Sequence, residues 1–561
     1  MASLDNRYSR RQFLRGAAGA ASGAVAMGSA GGLLAACGSS APTSAKHQGA
    51  GPALKRDPET LVVAMDAFTP DFDPASYFLL SAVVPNFGIY DSLMRMKGNS
   101  ATETEPWLAE KITTNKDKSV WTFALRPGVK YSDGTPFDAS ALKAAYTRTI
   151  TANLGAGSTL SAYITDPGKQ IVARDPGTVV IDLGISVPRF DLLTASQYGM
   201  GIVNPNVTSK GKNEGHDWLQ SHSDGTGAYM VQSVQPGNKI VMTRNPNYWG
   251  GWGQRSFKKI IILQVPQSST RRQGMQSGDF DIAFASTPED TQALRNAPGI
   301  YVGNQKMLGM LYIILGAYGP LASPQARQAI NLLFPVDQYV SSVTKGTVDR
   351  PTSILPDLMV YHAPGSYTPT VNVAKAKSLL QQAGVKPGTQ LTYEFYTGQG
   401  DAAGVLLQSQ LSLVGLNVKI VEKAYPAVVA DLSTPKPVSQ RPNMSYGLAG
   451  WWPEYNNPSD FCFPILSSGG TPVHHLFNGG YYENTAVNNA IDKGFSEPSN
   501  TAELTTLWQQ SQTIMGKEDP PWIPLGQIID TSYLRTDVKG YVANPVYVES
   551  YDFRALSRAS T

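Results

Sequence analysis

Only two of the 561 residues are cysteine, Cys37 and Cys462, and the surroundings of Cys37 take it out of the fold. Ser9-Arg10-Arg11-Gln12-Phe13-Leu14-Arg15 is followed by a charge-free, Ala/Gly-rich run and then by Leu34-Ala35-Ala36-Cys37-Gly38. A basic segment, a mildly apolar run and a small-residue site, in that order, have the layout of an export signal that is removed from the mature chain. With Cys37 claimed by that segment, Cys462 has no intrachain partner, so the fold must be held by its core. Cys462 lies in Phe461-Cys462-Phe463 and is expected to be buried.

The part carrying Arg10 and Arg11 resembles the twin-arginine export signal, and Leu34 to Cys37 resembles the bacterial lipobox, which implies cleavage after Ala36 and a lipid on Cys37. Residues 1–36 are read as the signal peptide, and 37–56, rich in Ser, Ala, Pro and Gly, as a flexible tether. Cleavage without a lipid and an uncleaved anchor are the alternatives, although Ala and Gly bury too little apolar area to span a bilayer firmly. Arg7, Arg10, Arg11 and Arg15 against Asp5 account for the whole formal charge of +3, so the mature chain is neutral. It has no charge excess of the kind a nucleic-acid-binding face needs. The expected location is the outer, extracytoplasmic face of the cell membrane, periplasmic or extracellular.

Behind the tether, roughly 500 residues exceed one ordinary domain and suit two large lobes or three domains. Leu61-Val62-Val63-Ala64-Met65 reads as a buried strand, and Trp121 to Leu125 as a half-buried one stopped by Arg126-Pro127-Gly128. Ser323-Pro324 opens a helix with apolar residues at helical spacing, and Asn372 caps another that Gly384 ends. The helix expected from Ala402 to Leu413 runs into the alternating Leu416 to Ile420, an order that fits an α/β lobe with crossover connections.

Several strings now point the same way. Leu108-Ala109-Glu110, Trp121 to Arg126 and Pro127-Gly128-Val129-Lys130-Tyr131-Ser132-Asp133-Gly134-Thr135-Pro136-Phe137 are followed by Gly225 to Tyr229, Arg244 to Gly251, Ser277 to Ala283 and Arg327 to Ile330. In this order they resemble the signature of the oligopeptide/dipeptide-binding family of ABC-importer solute receptors, family 5. Most of the strings are turn chemistry and scaffold, such as Asp133-Gly134-Thr135-Pro136. The resemblance implies an α/β, two-lobed, periplasmic-binding-protein-like fold of the type II, large peptide-binding class, with an extra subdomain in the first lobe. Lobe 1 is expected at 57–305 plus 524–561 and lobe 2 at 306–523, joined by paired crossover strands that let the lobes close on a ligand.

The segment Gly447 to Pro458 carries the expected ligand chemistry. In relatives the similar stretch pairs its main chain with a bound peptide, and its Asp salt-bridges the peptide's α-amino group. Carried over, Gly450, Trp451 and Trp452 supply main-chain hydrogen bonds and cleft lining, and Glu454 supplies the carboxylate. A carboxylate desolvated by lobe closure needs a cation, and an ammonium provides one. Glu for Asp lengthens the clamp by one methylene, and Pro453 removes a donor. Tyr77 and Phe78, after the first strand, are further ligand-facing candidates.

The function so implied is a monomeric, lipid-anchored receptor that captures short peptides and passes them to the permease subunits of an ABC importer with a separate ATPase. An oligosaccharide or another small solute is the alternative, with Trp249, Trp252, Trp451 and Trp452 available for stacking on sugar rings. An exported enzyme is the rival from another class, but no nucleotide, hydrolase, zinc or haem motif supports one. No cofactor is expected. His474-His475 lacks companions at metal-ligand spacing, and His216 and His222, in a polar loop, are read as solvated.

Overall fold

Leu61 to Met65 is an apolar run that can be buried on both faces, and it forms a strand in the middle of a large mixed sheet. The computed structural model describes residues 57–77, 80–152, 154–284, 287–396, 401–433, 436–445, 450–467, 477–496 and 501–559. The strands of that sheet are β1 (Thr60–Met65), β2 (Tyr229–Gln235), β3 (Lys239–Arg244), β4 (Lys259–Gln264), β5 (Ile282–Ala283), β6 (Ile300–Leu315), β7 (Gln390–Tyr396), β8 (Asn417–Lys423), β9 (Met444–Ser445) and β10 (Trp522–Arg535). Their order is β8-β7-β9-β6-β10-β5-β1-β4-β3-β2, with Val348–Asp349 paired to β10 off this path.

The two long central strands, β6 and β10, are antiparallel, and they cross from one core to another. Their pairing runs from Ile300↔Arg535 to Lys306↔Ile529, breaks, and resumes from Met310↔Gln527 to Ile314↔Trp522. On one side of the break lies a core of Leu61, Val63, Phe257, Ile260, Ile262 and Leu534. On the other lies a core of Ile313, Leu315, Leu391, Leu407, Ile523 and Leu525. The expected division at 524 therefore falls inside β10, and Leu525 belongs to the second core. The chain returns a few residues later, because the strand continues unbroken through that core to the register step opposite Gln527–Ile529.

Local sequence explains the elements that frame this crossing. The helix Pro324–Asn331 starts where the Ser323 side chain accepts from the Ala326 N–H, and Val373–Gln382 starts where Asn372 accepts from Lys375. The helix Ala402–Ser412 connects β7 to β8, which pair in parallel, so this lobe contains the expected strand–helix–strand crossover. A separate four-stranded sheet, ordered Ala109–Thr114, Val120–Leu125, Thr178–Asp182, Ile171–Asp175, forms the extra subdomain. Trp121, Phe123 and Leu125 alternate into its core, which continues as one apolar cluster to Trp451, Tyr455 and Phe461 and to Trp522 at the start of β10.

The signature strings are scaffold. Asp91 accepts from Trp107 Nε1 (2.6 Å), Thr226 Oγ1 (2.9 Å) and Trp249 Nε1 (3.0 Å), gathering two distant motif residues and the neighbour of a third motif on one carboxylate. Gly134 sits at φ +90°, where a side chain would be strained, and Asn247 Nδ2 donates to the Ser132 carbonyl, so two of the motif turns lock together. His216 corrects an expectation: it is not simply solvated. Its Nδ1 lies 3.0 Å from Asp73 Oδ2, beside a buried Arg148–Asp73 pair at 2.7 Å. His222 stacks on Trp218, and Cys462 is fully buried, with its thiol pushed far up by desolvation.

Candidate functional site

The segment 450–457 leaves the edge of β6 at the crossing and ends at the helix Pro458–Leu466. Met310 and Trp451 form an antiparallel bridge, with N–H to C=O distances of 3.1 Å and 3.0 Å in the two directions. Both main-chain groups of Trp451 are thus consumed inside the protein, which corrects the expectation that they pair with a ligand. In an antiparallel ladder the flanking residues point their main-chain groups the other way, so those of Gly450 and Trp452 are directed away from β6. The Trp451 ring is core material, packed against Phe477 with ring centroids 5.6 Å apart. Trp452 lies against the crossing strand: a Cβ on Gly309 would stand 2.5 Å from its Nε1, so only glycine leaves that space.

The sequence starts the next helix unambiguously. Asn457 caps it by accepting from the Ser459 N–H (2.7 Å), Pro458 occupies the first turn, and Asp460 follows. Asp460 turns back on the preceding loop and accepts through Oδ2 from the N–H groups of Glu454 (2.7 Å) and Tyr455 (3.3 Å). The Glu454 and Asp460 carboxyls are near enough for their charges to interact. Burial pushes Glu454 up, and burial together with the Glu454 charge pushes Asp460 up strongly. Among the described residues no cation pairs with either.

Groups of the first lobe face this loop. The Tyr163 hydroxyl lies 2.8 Å from that of Tyr455, tying the subdomain to the segment across the lobes. Tyr198 feels the charges of both Glu454 and Glu549, in addition to the burial that pushes its phenol up. Tyr77, one of the sequence candidates, is buried beside Tyr198 and donates to the Gln197 carbonyl at 3.1 Å. Phe78 lies outside the described residues, as do Cys37, Arg10, Arg11 and His474-His475.

Sequence reasoning missed Asp530 and Glu549. Asp530 interrupts the apolar β10 opposite Gln305, next to the register step. Burial raises Asp530 to about 6. Burial, with Asp530 and Asp66 as negative neighbours, raises Glu549 to about 8. An acid within an apolar crossing strand was the available signal for Asp530. For Glu549, held at φ +50°, the sequence offered none. Trp249 and Trp252, candidates for sugar stacking, have a face covered by the guanidinium groups of Arg126 (4.4 Å) and Arg244 (4.3 Å).

Two lobes joined by crossing strands, with desolvated carboxyls at their junction, define a solute-binding protein. The chain belongs to the bacterial extracellular solute-binding proteins, family 5 Middle, whose model matches residues 103–472. It is a binding protein and not an enzyme. It is 26% identical over 509 residues to the probable D,D-dipeptide-binding periplasmic protein DdpA of Escherichia coli (strain K12), covering 89% of this chain and 94% of that one. It is also 26% identical over 520 residues to the glutathione-binding protein GsiB of Escherichia coli O157:H7, covering 90% and 92%. The fold matches that of the periplasmic binding protein DppA from Helicobacter pylori in complex with the peptide STSA, with a TM-score of 0.74, 23% identity, and 89% and 98% of the two chains covered. Among the described residues no helix is long and apolar enough to cross a membrane.

Proposed function

We propose that the protein is a monomeric receptor, anchored by a lipid on Cys37 after twin-arginine export, that captures short peptides between its lobes. It then delivers them to the permease subunits of an ABC importer driven by a separate ATPase. Lobe 1 comprises 57 to about 306 and the chain from about 528, and lobe 2 the residues between. Glu454 receives the peptide's α-amino group, with Gly450 and Trp452 offering main-chain partners and Tyr77 standing behind the opposite wall.

The observation that carries this reading is a desolvated carboxyl, Glu454, that pairs with no cation among the described residues and faces groups of the other lobe. Closure over such a group is favourable only if the ligand brings positive charge. An ammonium does so, whereas a neutral sugar leaves the carboxyls uncompensated. Asp530 and Glu549 add to the same demand. The ligands named for DdpA, GsiB and the DppA complex, a D,D-dipeptide, glutathione and STSA, are all peptides with a free amino group in their ordinary form. The tether keeps the receptor at high effective concentration beside its permease.

Mass spectrometry of the small molecules released on denaturing gently purified protein tests the ligand class. Short peptides with a free amino terminus are expected, and a released hexose series would overturn the reading.

A further inference from the structure

β10 is apolar from Trp522 to Gly526 and then places a primary amide, Gln527, beside the register step, where only 2% of the residue is exposed. The pairing of β6 with β10 lapses there, at Met307, Leu308 and Gly309. A lapse inside a sheet leaves main-chain groups without ladder partners, and each must be met elsewhere. The Leu308 N–H donates to the Pro545 carbonyl (3.1 Å), and Gln527 Nε2 donates to the Met307 carbonyl (2.9 Å). The other end of the same amide, Oε1, accepts from the Asp357 N–H (3.1 Å), in the loop 350–371 of the second lobe. A carboxamide can donate at one end while it accepts at the other, and a carboxylate or an apolar side chain cannot.

The loop held in this way holds the end of the ligand segment in turn. Asn456 Nδ2 donates to the Leu358 carbonyl (2.9 Å), and Asn456 Oδ1 accepts from the Val360 N–H (2.9 Å). The start of the segment is fastened to the same step directly, by the Met310–Trp451 bridge, by Trp452 lying over Gly309, and by Gly450, on which a Cβ would stand 2.8 Å from Ile528 Cδ1. Both ends of 450–456 are therefore attached to the place where the crossing strands change register. We propose that Gln527 is the positioning residue of the ligand segment: it carries the geometry of the crossing strands through Asp357–Val360 and Asn456 to that segment, so that rotation at the register step and seating of the segment are one event. Gln527 and Asn456 are both buried, and each bond between them meets a main-chain group that would otherwise be left unpaired, so no single link gives way cheaply.

That the segment holds a ligand rests on the reading given above, but the coupling can be measured on the empty full chain, by hydrogen exchange with mass spectrometry. The reporters are peptides covering 450–457, where the Glu454 and Tyr455 N–H groups are bonded to Asp460 and not to Gln527. Gln527→Met keeps the length of the side chain and removes both of its bonds. Exchange at 450–457 is expected to become roughly 2- to 30-fold faster, while Val120–Leu125, in the separate four-stranded sheet, is unchanged. In an Asn456→Leu background the same substitution should add nothing at 450–457, because the route is already cut. Gln527→Glu is the second variant should the first not fold: it keeps the acceptor facing Asp357 and loses the donor to Met307, and the same pattern is expected. Unaltered exchange at 450–457, acceleration that extends equally to Val120–Leu125, or an equal further acceleration in the Asn456→Leu background overturns the proposal. Peptide binding that survives loss of the Glu454 carboxylate would instead defeat the ligand reading and leave the exchange result standing.

Discussion

Asp73 in the first lobe and Glu454 at the junction are both carboxyls withdrawn from water, and they have opposite fates. Burial works against ionised Asp73, yet hydrogen bonds from Arg148 and His216 outweigh it and hold the acid at about 2. Glu454 has the burial without the cation, and its neighbour is another acid. The first arrangement is complete and belongs to the scaffold. In the proposed reading the second is completed only by a ligand cation, and that difference would separate a structural ion pair from a binding site more sharply than burial or motif membership does.

The comparison can be broken most forcefully at Arg148. Arg148→Met leaves Asp73 buried with His216 as its one charged partner beside the Ala75 N–H, and removing one partner of a buried pair costs about 3–5 kcal/mol. Urea unfolding of the empty protein should show that loss, and a variant within about 1 kcal/mol of wild type would mean that water already reaches Asp73. The mirror experiment is Glu454→Ala. Losing a charge-assisted hydrogen bond to an ammonium weakens binding of the co-purified peptide by about 1.5–3 kcal/mol, roughly 10- to 100-fold, by calorimetry. The melting temperature of the empty protein should hardly change, because no cation loses a partner. Unaltered affinity would reject the clamp.

What could be read in advance divides along the same line. Caps, turns and alternation are local, so Ser323, Asn372, Gly134 and the strand at Leu61–Met65 were legible from the sequence. So was the burial of Cys462, from its two phenylalanine neighbours. The end of the first lobe's return was not, because β10 runs as one unbroken strand through both cores and its register step is set by the pairing with β6. His216 was misjudged for a related reason: its partner Asp73 is 143 residues away. At the proposed site, the motif pointed to Glu454, but which main-chain groups of the segment are used inside the protein depends on Met310, 141 positions before Trp451 and visible only in the sheet pairing. Asp460 was within reach, since an acid two residues after Asn457-Pro458 marks a helix start; its backward grip on the loop was not.

The smallest expected effect lies at Glu549, and it tests whether the junction acids as a group lack cations. Burial, with Asp530 and Asp66 nearby, raises Glu549 to about 8, against an ordinary value of 4.5. Below about 4.5 the folded and unfolded chains are both protonated there. Between about 4.5 and 8 the unfolded chain releases a proton that the folded chain keeps, so stability falls as pH rises through that window and levels off above it. The side chain is half-buried and touches solvent, which reduces the total to roughly 1–2 kcal/mol. Glu549→Gln removes this contribution, so the empty variant should match wild type at pH 5 and melt a few degrees higher at pH 8.5. Equal melting temperatures across the whole range would show that Glu549 is already compensated in the empty receptor. The contrast with Asp73 would then narrow to the Glu454–Asp460 pair alone.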